Sequence, residues 1–191
     1  MKRPHQYLLF TVVCMIAMML LPQCVKAQQV AVKTNGLMWA AMIPNVSGEF
    51  VVGERSSIDL GVFGTTTIYG NKAKIVGVQP EYRYYFNGRP MTREFVGVAA
   101  LGTSYSITWG ERFYKGDAAG LGVTMGYVMN LGRRLNVEFF GGFGVVVFKQ
   151  KDYLVDTNFG DYTEEQMNRT NSMGYKLLPI KIGVSVTYII K

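Results

Sequence analysis

Between residues 180 and 190 the side chains alternate in kind at every step, and this limits what the segment can fold into. Ile180, Ile182, Val184, Val186, Tyr188 and Ile190 fall on one side, and Lys181, Gly183, Ser185 and Thr187 on the other. Successive residues of a strand face opposite ways, so these are the two faces of one strand. One face is branched and aromatic; the other carries a charge, a glycine and two hydroxyls. A transmembrane barrel strand has this pattern, apolar toward lipid and polar toward the lumen.

The same period of two recurs after Ala27, with no sustained helical period. It predicts eight strands, at about 30–40, 45–53, 57–66, 74–86, 93–108, 115–130, 134–149 and 180–190. Ile58, Leu60 and Val62 oppose Asp59 and Gly61; Val76, Val78, Tyr82, Tyr84 and Phe86 oppose Gln79, Glu81 and Arg83. In the fifth strand Phe95, Leu101, Tyr105 and Ile107 are set against Glu94, Gly102, Ser104 and Ser106. Links after strands two, four and six are expected to be short, and those after three, five and seven longer, with 149–175 the longest loop. The fold expected is an all-β, eight-stranded antiparallel up-and-down transmembrane β-barrel, an even number that leaves both termini on one side.

Lys33, Glu49, Asp59, Glu81, Arg83, Glu94, Arg134, Glu138 and Lys181 all fall opposite the branched apolar residues. An eight-stranded barrel has its interior filled by side chains. Buried charges are costly unless paired, so these four cations and five anions are expected to neutralise one another in a luminal polar network. Tyr82, Tyr84, Phe86, Tyr105, Trp109, Tyr127 and Tyr188 are expected to form aromatic girdles at the water boundary. The opposite arrangement, a soluble periplasmic carrier, would put the apolar face around a ligand cavity.

The start of the chain reads as a signal peptide over 1–27, leaving 28–191 as a single barrel domain. Lys2 and Arg3 precede an uncharged apolar stretch from Tyr7 to Leu21, and Val25-Lys26-Ala27 offers a cleavage site near Ala27. The stretch is shorter than the roughly 20 residues of a spanning helix. Cleavage would remove Cys14, Cys24 and His5, the only cysteines and histidine. No disulfide, thiolate metal site or cysteine nucleophile would remain. Loss of Lys2, Arg3 and Lys26 takes the formal charge from +7 to +4, with no basic cluster of the kind that binds nucleic acid.

Several short pieces carry a family resemblance: Lys33-Thr34-Asn35, Pro44-Asn45 with Glu49, and the octet Gln79-Pro80-Glu81-Tyr82-Arg83-Tyr84-Tyr85-Phe86. Gly126-Tyr127, Asn136-Val137-Glu138 with Gly141-Gly142, and the closing Tyr188-Ile189-Ile190-Lys191 complete them. Together they resemble the Bacteroidetes family called domain of unknown function 3575. Lys181, Gly183, Val186 and Tyr188 also resemble the C-terminal assembly signal of outer-membrane proteins. The resemblance implies a small OmpA-like barrel of the bacterial outer membrane, embedded in its lipid. In this family some members lie near fimbrial genes, so a surface or fimbrial partner is expected at loop 149–175. It implies no activity and no cofactor.

Eight-stranded barrels also include lipid-modifying enzymes, whose constellations resemble Ser-His or His-Asp-Ser sites in which histidine moves the proton. Residues 28–191 contain no histidine. Ser104 or Ser106 near Glu94 is the one substitute arrangement that the sequence offers. Asp152, Asp156, Asp161, Glu164 and Glu165 are too widely spaced for a calcium loop, so no metal is expected. The reading is a non-enzymatic barrel with a structural or surface-interaction role.

Overall fold

In the computed structural model, residues 29–109, 112–154 and 172–190 are described. The expected signal peptide and cleavage site, and most of the longest loop, lie outside them. Eight antiparallel strands form a closed barrel in sequence order. These are β1 (Val30–Asn35), β2 (Asn45–Val51), β3 (Ser56–Ile68), β4 (Asn71–Tyr85), β5 (Arg93–Trp109), β6 (Arg112–Asn130), β7 (Leu135–Leu154) and β8 (Ser172–Ile189), with one short helix, α1 (Gly36–Ala40), after β1.

The register fixes the tilt. From Ala31, paired residues run through Glu49, Asp59, Glu81, Ala99, Gly122 and Gly144 to Leu178. Ala31 itself pairs with Ile189. That offset along β8, less one bulged residue, is the stagger of a barrel whose strands tilt by about 40°. Inside it are Lys33, Glu49, Asp59, Glu81, Arg83 and Glu138, all buried; outside, Leu60, Val78, Val98, Val123, Phe139, Val145 and Val186 are exposed.

The exposed apolar band has limits. At one end lie Tyr82, Tyr84, Phe86, Tyr127 and Tyr188. At the other, outward Ser104, Asp117 and Lys149 stand in one register row, with Lys74 beside them, and Ser104 donates to the Asp117 carboxylate. From Tyr127 to Asp117, at roughly 3.3 Å per residue and a tilt of about 40°, the band is about 25 Å tall.

Four expectations about the strands need correction. β1 does not run to residue 40. Asn35 ends it, because its side-chain oxygen accepts the Leu37 N–H at 3.0 Å and caps α1, while Asn45 takes the Asn35 N–H at 2.7 Å. Links after β3 and β5 are not long: only Tyr69-Gly70 and residues 110–111 separate the strands, whereas the link after β4 covers residues 86–92. The strands continue beyond the apolar band as polar ribbons, so loss of apolar alternation does not end them. The 149–175 segment is likewise not all loop, because β7 reaches Leu154 and β8 begins at Ser172; residues 155–171 lie outside the description.

The third correction is the fifth strand, whose faces are reversed. Phe95 is buried and Glu94 exposed. Phe95 pairs with buried Tyr85, and Tyr105 pairs with buried Gly116 on the inner face, so Tyr105 is no girdle residue. The described side chains do not include that of Trp109. Fourth, Ile180 points inward. The β7–β8 ladder shifts between Gly142 and Phe143, leaving Ile180 as an extra residue between the partners Lys181 and Pro179. Such a bulge lets two neighbours share a face. Ile180 packs with Ala99 and Val146, and Pro179, which has no N–H for a ladder, sits at the bulge.

Where β1 turns away, side chains finish the β8 edge. Asn35 Nδ2 donates to the Ile182 carbonyl at 3.0 Å, and Gln79 Nε2 donates to the Ile180 carbonyl at 2.8 Å. Inner-face glycines make room for bulk elsewhere. A Cβ on Gly97 would lie 2.6 Å from Thr124 Oγ1, 2.8 Å from the Tyr82 carbonyl and 2.9 Å from Glu81 Oε1. Overpacking of this sort costs about 1–3 kcal/mol. Gly97→Val should therefore lower the urea unfolding free energy of the folded barrel by that amount; an unchanged free energy would show that the wall yields freely there.

Candidate functional site

Register builds the candidate site. Glu49, Asp59 and Glu81 are directly paired across β2, β3 and β4, all facing inward. Like charges directly opposite repel, so this ladder of carboxylates requires cations. Three supply them. Arg83 follows Glu81 by two residues and points the same way. Lys33 comes from β1 beside Glu49, and Lys181 from β8.

Arg83, 1% exposed, is the hub. Its Nη1 lies 2.9 Å from Glu138 Oε2 and 3.4 Å from Glu49 Oε2; its Nη2 lies 2.9 Å from Glu81 Oε2 and 3.3 Å from Asp59 Oδ2. Lys33 Nζ reaches both oxygens of Glu138, at 2.7 and 2.9 Å, and pairs with Glu49. Lys181 Nζ joins Asp59 Oδ2 and Glu81 Oε2, each at 2.6 Å. Hydroxyls fill remaining lone pairs. Tyr85 and Ser57 donate to Glu49 Oε1, Thr124 to Glu81 Oε1, and Thr187 to Glu138 Oε1.

Aromatic rings stand beside the charges. The Arg83 guanidinium is 4.4 Å from the centre of the Phe95 ring, and Lys181 Nζ is 5.6 Å from that of Phe140. Tyr85, Phe95, Val128 and Phe140 form one buried cluster. Met91, from the β4–β5 link, is also buried, and its carbonyl accepts Asn136 Nδ2 at 3.1 Å.

Seven of the nine residues expected in the luminal network are thus brought together: Lys33, Glu49, Asp59, Glu81, Arg83, Glu138 and Lys181. Glu94 and Arg134 are not part of it. Both are exposed where strands enter and leave turns, Glu94 because β5 is reversed and Arg134 because β7 begins only at Leu135. The expected network did not include Tyr85, Ser57, Thr124 or Thr187, although alternation puts Thr124 and Thr187 on the polar faces of their strands. Tyr85 and Ser57 had a signal: each is two residues from an inward charge.

Ser104 and Glu94 do not form a site either, since they lie ten residues apart along β5 and Ser104 bonds to Asp117. Asp156, Asp161, Glu164 and Glu165 lie outside the described residues, whereas Asp152 belongs to β7. Among the described residues no acidic, histidine or cysteine group is arranged to hold a metal ion. Chemically, the cluster ties five strands, β1, β2, β3, β4 and β8, to β7 through charge-assisted bonds.

Fold and site define a class: a small closed antiparallel barrel with a buried ion-pair plug and an exposed apolar belt. The profile described as protein of unknown function (DUF3575) matches residues 10–190, and the chain belongs to that family. Neither a curated protein nor a solved structure matches it.

Proposed function

We propose that the chain is a non-enzymatic β-barrel of the bacterial outer membrane, with a structural or surface-interaction role. The observation that carries this reading is its inverted polarity. Seven charged residues lie inside, while the outside carries an apolar band bordered by tyrosines at one end and by a polar row at the other. In water such a band would be an association hazard; in lipid it is the favourable surface. Its height of about 25 Å suits the apolar thickness that barrels present to the outer membrane. The expected leader at 1–27 supports export, and the absence of histidine from 28–191 weighs against the acyl-transfer chemistry of barrel enzymes. A soluble carrier would need a roomy apolar cavity, whereas the cavity of about 20 Å³ beside Asp59, Arg83 and Lys181 is too small for an apolar ligand.

Surface interaction would fall to the end bearing the 155–171 connection, and a fimbrial component is the partner that the family resemblance suggests. Fractionation of expressing cells tests the location. Recovery in the outer membrane, with faster gel migration before boiling than after, is the expected result. Recovery in the soluble periplasmic fraction would reverse the reading and favour the carrier.

A further inference from the structure

At the limit opposite the tyrosines the outer face changes character within two residues. Exposed Val76 and Val147 give way along their strands to exposed Lys74 and Lys149. One row beyond the Ser104–Asp117–Lys149 row, Lys74 on β4 pairs with Ser106 on β5, and Ser106 with Lys115 on β6. The row continues to Lys151 on β7. Directly paired residues share a face of the sheet, so the Ser106 hydroxyl stands between two exposed lysines. Their Cα atoms are two strand spacings apart, roughly 10 Å, a gap that two four-carbon stems close. Lys149 is the diagonal neighbour of Lys115. Like charges at such positions repel one another. Asp117 accepts from Ser104, and among the described residues no carboxylate lies in ion-pair contact with Lys74, Lys115 or Lys149. On β8, Tyr175 is 81% exposed and stands opposite outward Val147 at the same border. Tyrosine, with an apolar body and a polar tip, suits a lipid headgroup level.

We propose that Lys74, Ser106 and Lys115 bind the phosphomonoester headgroup of a membrane lipid whose acyl chains lie along the adjoining apolar band. The proposal rests on the outer-membrane reading above, which puts headgroups at this level. A phosphomonoester offers three acceptor oxygens, and here three adjacent strands each supply a donor. Lysine ammoniums are compact, hydrated charges on flexible stems and bind phosphate at a wet boundary. A lipid has the advantage over free phosphate, because exposed Val76, Val78 and Leu121 adjoin the row and take up its chains.

The test places the folded barrel in phosphatidylcholine vesicles containing a minor fraction of phosphatidic acid labelled on its acyl chain. Energy transfer from the protein's tryptophans reports enrichment of the label, with labelled phosphatidylcholine as the reference. Phosphatidic acid should be enriched at the unaltered protein. The double variant Lys74→Gln with Lys115→Gln should lose about 25-fold in relative affinity, at fivefold for each lysine. Both side chains are exposed, so the fold should survive. Arg133→Gln with Arg134→Gln removes the same charge from the exposed β6–β7 turn at the tyrosine limit and should leave enrichment unchanged. Equal losses from the two double variants would mean diffuse attraction to charge and would overturn the proposal. Displacement of the label by an equal concentration of glycerol 3-phosphate would also overturn it, in favour of a soluble phosphate ligand. An inserted barrel without enrichment would sink this proposal alone. A protein that does not insert, with the same gel mobility before and after boiling, would sink the membrane reading and this proposal with it.

Discussion

Arg83→Met should cost the folded barrel about 3–5 kcal/mol, read as a fall in its urea unfolding free energy in detergent or lipid. The reason is the ladder. Glu49, Asp59 and Glu81 are held opposite one another by strand register, and Arg83 contacts all three together with Glu138. Methionine fills similar space but leaves four buried carboxylates with two lysines. Breaking a buried pair from one side costs more than the pair contributes, because the stranded charge keeps its desolvation penalty. Glu94→Gln and Arg134→Gln supply the contrast. Both side chains are exposed, so each change should stay within about 0.5 kcal/mol. Equal effects from the three substitutions would mean that the buried cluster is not what holds the strands together.

Val123→Arg is the second large effect. Val123 is exposed on β6, flanked by Met125 and Leu121, between Tyr127 and Asp117 at the two limits of the band. If lipid covers it, an arginine near mid-depth should destabilise the membrane-folded protein by about 2–4 kcal/mol. If water covers it, an exposed substitution of this kind costs no more than about 0.5 kcal/mol. The same replacement at Lys149, in the polar row, should be near neutral in either case. Folding free energies measured in lipid vesicles distinguish the outcomes, and a neutral Val123→Arg would remove the membrane reading at its base.

Much of the barrel was legible because alternation is a local signal. On β3, β4, β6 and the lower part of β8, each inward charge or glycine sits between outward branched or aromatic residues, and the structure keeps those faces. β5 was harder. From Phe95 to Leu101 it offers no polar residue to mark the inner face, and Glu94, the nearest charge, lies where the strand emerges from a turn. The buried ring of Phe95 is explained only by what it meets, the Arg83 guanidinium on β4. Ile180 failed for a related reason. A bulge changes the phase of alternation by one residue, and nothing within β8 announces it except Pro179.

What the sequence by itself determined was the period of the strands, their number, and the kind of residue on each face, since these depend on neighbours one or two positions apart. Which charges meet was decided by the tertiary structure alone. Glu49, Asp59 and Glu81 become a ladder, and Lys181 reaches it from the far end of the chain, only when closure of the barrel sets the stagger between strands. Glu94 and Arg134, identical in type to the residues that were buried, stayed outside because that same stagger places them at the rim, where water solvates a charge without a partner.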